Sequence, residues 1–309
     1  MGVSELCPIC NTHGEVVASG YVAPFILELN GVLSNGPLET SLCCCGKCDL
    51  VYFTERFDDQ TLAAIYIGYR SEQYQSVRKH WEPWYSIAVN SATAPGSKIV
   101  TERVDFLTDI LSSYTDIGKI PNIVDYGGDE GQFFPIGYEG PKFVADVSEK
   151  NLVYGVESVA SFAELPLKPH LVIVAHLLEH VVDPLALVRE VRRALVPNGL
   201  LYVEVPLDRP RVRHWHGTAH YRRYLKWVSA RRFTWIAADF LAGLSRNLGL
   251  RVPRLGAVKE SEHINYFSQQ SLEALLIAGG FTIVRSDIKP EAKVGGIRMG
   301  LLGALAIPV

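Results

Sequence analysis

The sequence predicts an α/β protein: a mostly parallel sheet with helices on both faces, preceded by a small metal-binding module. Three observations carry this. From Ile120 onward, the apolar runs NIVDY, KFVADV, LVIVAH, LLYVEVP and FTIVRSD alternate with helical patterns, as expected for strands buried on both faces of a parallel sheet. A glycine-rich turn follows the first of these runs. All six cysteines fall within the first 48 of 309 residues, and in a reducing cytosol such clustering argues for metal over disulfides.

Residues 1–57 form the expected metal module, with Gly31, Gly36 and Pro37 between short apolar runs. It is too small to carry its own core. Cys7-Pro-Ile-Cys10 and Cys45-Gly-Lys-Cys48 are two C-x-x-C knuckles, each placing two thiolates at adjacent corners of a tetrahedron. Four thiolates close the site and leave no position for water or substrate, so the expected Zn2+ is structural. Cys43 and Cys44 stand in neighbouring register and leave the identity of the third ligand open between them and Cys45.

Residues 58–119 read as a helical linker region rich in aromatics, including Tyr66, Tyr69, Tyr74, Trp81, Trp84 and Tyr85, with SATAPGSK as a break between helices. Residues 120–309 carry the sheet. Within them VDPLALVREVRRALVPNG fits a crossover helix, with Leu185, Val188, Val191 and Leu195 at helical spacing and Pro197 and Gly199 beyond its end. NIVDYGGDEGQF sets glycines where backbone must approach a ligand closely. Asp146, at the end of the next strand, is placed to accept both hydroxyls of a ribose. Read from Gly127, a dinucleotide fingerprint would need glycines where Asp129 and Gln132 stand, so a nucleoside without pyrophosphate fits better.

The ordered set VDYGGDEG, VADVS, LVIVAHLLEHVVDPLALVREVRRALVPNGLLYVEVP and EHINYFSQQSLEALLIAGGFTIV resembles a class I S-adenosylmethionine-dependent methyltransferase over about residues 120 to 290. The resemblance implies a Rossmann-like seven-stranded sheet whose last strand is antiparallel, with FTIVRSD and MGLLGALAIPV as the closing hairpin, and S-adenosylmethionine as cofactor. It further implies that Gly127 and Gly131 shape the turn under the methionine portion, with Gly128 in that turn and Asp125 anchoring it. Asp146 would hold the ribose, Ser161 and Phe162 would flank adenine, and the segment from His176 to Glu179 would line the sulfonium side. The chain departs from the family's D-x-G-x-G-x-G in having Gly128 and Asp129 at the central x-G. The order CPIC, CGKCDLVYF and IYIGYRSEQY resembles the amino-terminal half of zinc-containing sugar methyltransferases. Those enzymes often carry a further carboxy-terminal domain, which this chain does not show.

Methyl transfer is an in-line displacement, and a hydroxyl or acidic-carbon acceptor must lose a proton to a base. His263 in SEHINYFS is the best placed of nine histidines, and Glu262-His263 match the acceptor-side pair of the sugar-carbon-methylating relatives. The tyrosine two positions before that pair in the relatives falls at Glu260 here. The pair reads equally well as base or scaffold. His180 in LLEHVVDP is the second candidate base.

Residues 208–259 form a basic helical insertion with twelve Lys and Arg against two Asp, a net charge of +10 in a chain whose total is −3. YRRYLKWVSARRFTWIAADFLAGL is expected to be one amphipathic helix lying as a lid over the active-site mouth. Three readings stay open: a lid that grips the phosphates of a nucleotide-sugar through a pair such as Arg222 and Arg223, an interfacial helix reaching a lipid-linked glycan at a membrane surface, and a solvated face. Nucleic acid is not expected, since no aromatic-basic module accompanies the charge. The chain is thus read as an enzyme acting on a small-molecule sugar, with O-methylation of a glycan or natural product and an inactive binding module as alternatives. A cytoplasmic location is expected, because no apolar run reaches the roughly 18 residues of a span and MGVSELCPIC lacks the regions of a signal peptide.

Overall fold

The computed structural model describes residues 2–3, 5–32, 36–57, 61, 65, 71–85, 95–146, 151–210, 212–247, 256–294 and 297–309. Tyr66, Tyr69, the start of SATAPGSK, Val147, Ser148, Arg211, Arg251 and Arg254 lie outside them. The chain folds as two compact units. One comprises Met1–Cys7, Asn11–Val89 and Arg209–Tyr266, the other Pro8–Cys10, Asn90–Asp208 and Phe267–Val309.

The second unit holds a seven-stranded sheet in the order β13-β14-β10-β9-β6-β7-β8. Strands β6 (Ile123–Tyr126), β7 (Lys142–Ala145), β8 (Val156–Val159), β9 (Leu171–Ala175) and β10 (Leu200–Pro206) run parallel. Strand β14 (Ile297–Pro308) lies antiparallel between β10 and β13 (Phe281–Val294). The expected closing hairpin is therefore present, made of FTIVRSD and MGLLGALAIPV and longer than either motif.

Local chemistry explains the helices of this unit. The Ser97 hydroxyl accepts from the Val100 N–H and starts α3 (Lys98–Ser112), whose buried stripe includes Val100, Leu107 and Leu111. Asp183 caps α4 (Pro184–Ala194) by accepting from the Ala186 N–H, with Pro184 at the first position. Ser268 and Ser271 cap α7 (Gln269–Ala278) reciprocally. Ile110, Ile123, Ile173, Tyr202 and Leu305 meet in the core. The strand order reverses between β6 and β9, and ligands of open α/β sheets bind at the carboxyl ends of strands at such a switch point.

The first unit differs from the module expected for residues 1–57. Strands β2 (Glu15–Val22), β3 (Glu39–Cys44) and β4 (Val51–Phe53) pair antiparallel. From the basic insertion and the residues just beyond it, β11 (Lys259–Glu260) adds parallel to β2 and β12 (Asn265–Tyr266) antiparallel to β4. Helices from the insertion complete the core: Tyr221, Leu225, Val228, Trp235 and Ala238 pack against Ala18, Tyr21, Leu42 and Phe53. A short amino-terminal segment thus obtains its apolar partner from residues about two hundred positions later, so metal is not its sole support. The expected 58–119 linker is likewise divided, with α2 (Glu72–Trp81) in the first unit and α3 in the second.

The single amphipathic helix expected in the insertion is two: α5 (Ala219–Ser229) and α6 (Arg232–Asn247). In the first turn of α6 the Thr234 hydroxyl lies 2.7 Å from the Val228 carbonyl and 2.8 Å from that of Arg231, so its one proton is shared between groups that a continuous helix would have paired internally. Helix α5 is committed to the amino-terminal sheet through Tyr221, Leu225 and Val228.

Candidate cofactor and acceptor sites

In the second unit the predicted cofactor residues gather at the carboxyl ends of the parallel strands. Gly127 follows β6 with φ +76° and donates its N–H to the Ala145 carbonyl at 2.8 Å. A Cβ there would meet Leu177 at 2.9 Å, and one on Gly131 (φ +75°) would meet Val156 at 3.0 Å. At Gly128 a Cβ would stand 2.5 Å from the Asp125 carboxylate. The turn therefore requires its glycines, and the departure from the family motif keeps a glycine at the one place that covers Asp125.

Asp125 is buried and neither carboxylate oxygen has a hydrogen-bond partner among the described residues. Burial pushes its carboxyl well above the usual range, against the pull of Arg103. Asp146 follows β7 and accepts from the Asp129 N–H at 3.0 Å. Ser161 and Phe162 follow β8, and the Phe162 ring stacks on Tyr126 at 4.8 Å between centroids.

His176 ends β9 in the left-handed region, φ 55°. Its Nδ1 lies 3.5 Å from Glu179 and its Nε2 3.4 Å from Glu204. His180 Nε2 is 3.8 Å from Glu179. Glu204 on β10 is buried beneath this turn. Burial would raise its carboxyl, but Arg103 and His176 overcome it and lower it to about 2. Tyr202 donates to the other Glu204 oxygen at 3.0 Å.

Asp125, Glu179 and Glu204 thus place three buried carboxyls around the switch point, with Arg103 paired to Glu204 and the His176 ring beside Glu179 and Glu204. An environment with surplus acid suits a cationic ligand, and the orphaned Asp125 oxygens suit one that carries its own N–H donors. The sulfonium and ammonium of S-adenosylmethionine meet both requirements. Arg103, Tyr126 and Glu204 were not anticipated from sequence. A charged residue inside the apolar strand LLYVEVP was the one available signal, since a buried carboxylate demands a partner.

Glu262 and His263 lie in the first unit, between β11 and β12. Tyr74 donates to the Glu262 carboxylate, and Arg78 Nη1 lies 3.0 Å from the same oxygen. Arg78 also binds Glu82 at 3.0 Å and lies over the Tyr85 ring at 4.1 Å. Glu82 in turn meets Lys259, which pairs with Asp239 at 2.7 Å. Burial opposes ionisation of Glu82, but Lys259 and Arg78 lower its carboxyl to about 2. Glu262 is therefore held by a buried ionic network that draws on α2, α6 and β11. The centroid of the His263 ring is 6.4 Å from that of Tyr266.

Arg222 of α5 approaches Ser19 at 3.4 Å and helps line a cavity of about 240 Å³ with Tyr21, Glu39, Thr40, Thr54 and Glu55. Arg223 is exposed on the same helix.

The four knuckle cysteines come together, their sulfurs all within 4.8 Å of one another. Both knuckles close alike: the Asn11 N–H donates to the Cys7 carbonyl and the Asp49 N–H to the Cys45 carbonyl, each at 2.9 Å. Asn11 and Asp49 both adopt positive φ, 52° and 62°. A tetrahedral zinc with bonds of about 2.3 Å needs sulfurs about 3.8 Å apart, so the donor set fits one. Cys45 takes part in this group, while Cys44 is engaged by Arg209 at 3.4 Å.

A model of the methyltransferase domain family matches residues 98–286. This is more than half of the chain, which therefore belongs to that family and is an S-adenosylmethionine-dependent methyltransferase. No curated protein matches it. Among solved structures it is similar to the 1,6-didemethyltoxoflavin-N1-methyltransferase of Burkholderia thailandensis, at 14% identity and TM-score 0.47, covering 87% of this chain and 96% of that one. It is also similar to the N-methyltransferase NodS of Bradyrhizobium japonicum WM9 bound to S-adenosyl-L-homocysteine, at 13% identity and TM-score 0.41, covering 77% and 99%. A possible histamine N-methyltransferase of Thermotoga maritima is a third, at 16% identity and TM-score 0.40, covering 68% and 89%.

Proposed function

We propose that the chain methylates a hydroxylated acceptor, a sugar, with His263 as the proton acceptor. The observation that carries this is the anchoring of Glu262. A carboxylate clamped by Tyr74 and Arg78 fixes the backbone of its neighbour, and a base must be held in place to act in an in-line displacement. S-adenosylmethionine supplies the electrophilic methyl on its sulfonium. Asp125 takes the ammonium of its methionine end, Asp146 the ribose hydroxyls, and Ser161 and Phe162 flank the adenine. Gly127, Gly128 and Gly131 let the backbone approach, and His176 lines the sulfonium side. His180 has the lesser part of holding the turn after β9. Cys7, Cys10, Cys45 and Cys48 hold a structural zinc.

The cavity at Arg222 supports a sugar over a diphosphate. Its hydroxyls and carboxylates are donors and acceptors for a polyol, whereas Glu39 and Glu55 oppose a nucleotide's negative charge. Arg222 accordingly binds substrate hydroxyls.

The test is kinetic. His263→Ala is expected to lower turnover by about 10²-fold or more while leaving S-adenosylhomocysteine affinity unchanged in calorimetry. Turnover equal to wild type would reject His263 as base. Arg222→Ala is expected to raise the acceptor Michaelis constant, and sugars without phosphate are expected to compete with the acceptor. Competition by inorganic diphosphate alone would reject the sugar reading.

A further inference from the structure

Helix α6 is apolar on two sides. Trp235, Ala238 and Ala242 face the core, as does Asp239 through its pair with Lys259. On the other side Phe233, Phe240 and Leu244 recur at helical spacing and remain exposed, Phe233 at 81%. Trp84 meets Phe240 at 5.9 Å between ring centroids, and with Pro83 and Ile236 they line an open apolar groove. Trp227, at the end of α5, is 60% exposed. A helix that is apolar on its outer side as well as toward the core normally finds an apolar environment there, and none among the described residues covers this stripe.

The charge around the stripe identifies what covers it. Arg223, Lys226, Arg231 and Arg232 are exposed on α5 and at the start of α6. Arg232 is fixed there by donating to the His80 carbonyl at 2.7 and 2.9 Å. Neither helix exposes an acidic side chain, because Asp239 is their one acid and it is buried. An aromatic and aliphatic face with a purely cationic border matches an anionic lipid interface, where rings sit at headgroup level and Lys and Arg meet the phosphates. A second copy of the chain fits poorly, since a two-fold contact about this stripe sets arginines against arginines. No helix among the described residues is long and apolar enough to cross a membrane, so the stripe would lie on the surface.

We propose that the outer face of α6, with the end of α5, docks the enzyme on anionic phospholipid membranes. Apolar side chains enter the headgroup boundary and the cationic border binds the phosphates. This does not depend on the identity of the acceptor.

The experiment is flotation of the whole protein with phosphatidylcholine vesicles, with and without phosphatidylglycerol. Binding is expected to the anionic vesicles, weaker at high salt, and weak to the neutral ones. Lys226→Gln with Arg231→Gln is expected to reduce it by about tenfold or more, and Phe233→Ser with Phe240→Ser to abolish it. Both pairs are exposed, so the unfolding temperature should stay at the wild-type value. If the phenylalanine variant unfolds early, the charge variant decides. Wild-type protein indifferent to anionic vesicles overturns the proposal. So does self-association in solution that the phenylalanine substitutions remove, which would make the second copy the occupant.

Discussion

Arg78 Nη1 lies 3.0 Å from Glu262 Oε1, joining positions 184 residues apart through a side chain that also grips Glu82. Removing the guanidinium leaves the largely buried Glu262 carboxylate without its cation and leaves Glu82 to Lys259 alone. Arg78→Ala is expected to cost about 1.5–3 kcal/mol of stability, the usual worth of charged hydrogen bonds, read from denaturant unfolding. If the link also positions His263, Arg78→Lys should restore stability in part while turnover stays low, because one ammonium cannot reproduce the guanidinium fork. A variant with full turnover would reduce Arg78 to a structural role.

One zinc per chain is expected on metal analysis of purified protein. A strong chelator should lower the unfolding temperature, and Cys48→Ala should do the same without a chelator. Folded protein of either kind is expected to retain S-adenosylhomocysteine affinity, because four thiolates would fill the ligand positions of a zinc and leave none for substrate. Metal content well below one equivalent rejects the assignment.

Two substitutions separate the cofactor turn from its ligand. Asp146→Ala removes the proposed ribose acceptor and is expected to weaken S-adenosylhomocysteine binding by about tenfold to hundredfold, in line with one or two charge-assisted hydrogen bonds. Gly128→Ala acts on the fold instead, since its Cβ would be 2.5 Å from the buried Asp125 carboxylate. A loss of about 1–3 kcal/mol is expected there, together with loss of binding. Calorimetry and thermal unfolding on both variants distinguish the two effects.

Glu260 titrates in the direction opposite to an ion-paired acid. Its side chain is fully buried, Oε2 accepts from the Thr40 hydroxyl at 2.8 Å, and Oε1 has no partner among the described residues. Burial raises its carboxyl well above the usual value. A raised folded-state value means the fold is favoured below the unfolded value of about 4.3 and loses that advantage as pH rises through the folded one. Glu260→Gln is therefore expected to raise the unfolding temperature at neutral pH, by about 2–4 °C for each kcal/mol gained, and to change little at pH values below the unfolded one. Equal effects at both pH values would show that the carboxyl ionises alike in the folded and the unfolded chain and is not raised.

The parallel strands were legible because burial on both faces leaves an uninterrupted apolar run, as in LVIVA of β9, and the hairpin β13-β14 because two such runs close the chain. The glycine turn, Asp125 and Asp146 were legible for a similar reason: each stands in or directly after an apolar strand, and local order fixes its place at the strand end.

What lies far apart in the chain was not legible. Nothing in ETSLCC or KE announces that β3 and β11 share a sheet, and nothing in EQYQSVRKHW says that Arg78 will meet Glu262. Sequence alone determined that this chain holds a parallel sheet, a nucleoside-type turn and a four-thiolate knuckle pair, because each is encoded by neighbours obeying a local period or spacing. The tertiary structure alone decided that the basic insertion completes the amino-terminal sheet, that it breaks into α5 and α6, and that α6 keeps one apolar face outward. Those outcomes depend on which surfaces find complementary partners across hundreds of residues, a choice made by total burial and charge pairing that no local pattern records.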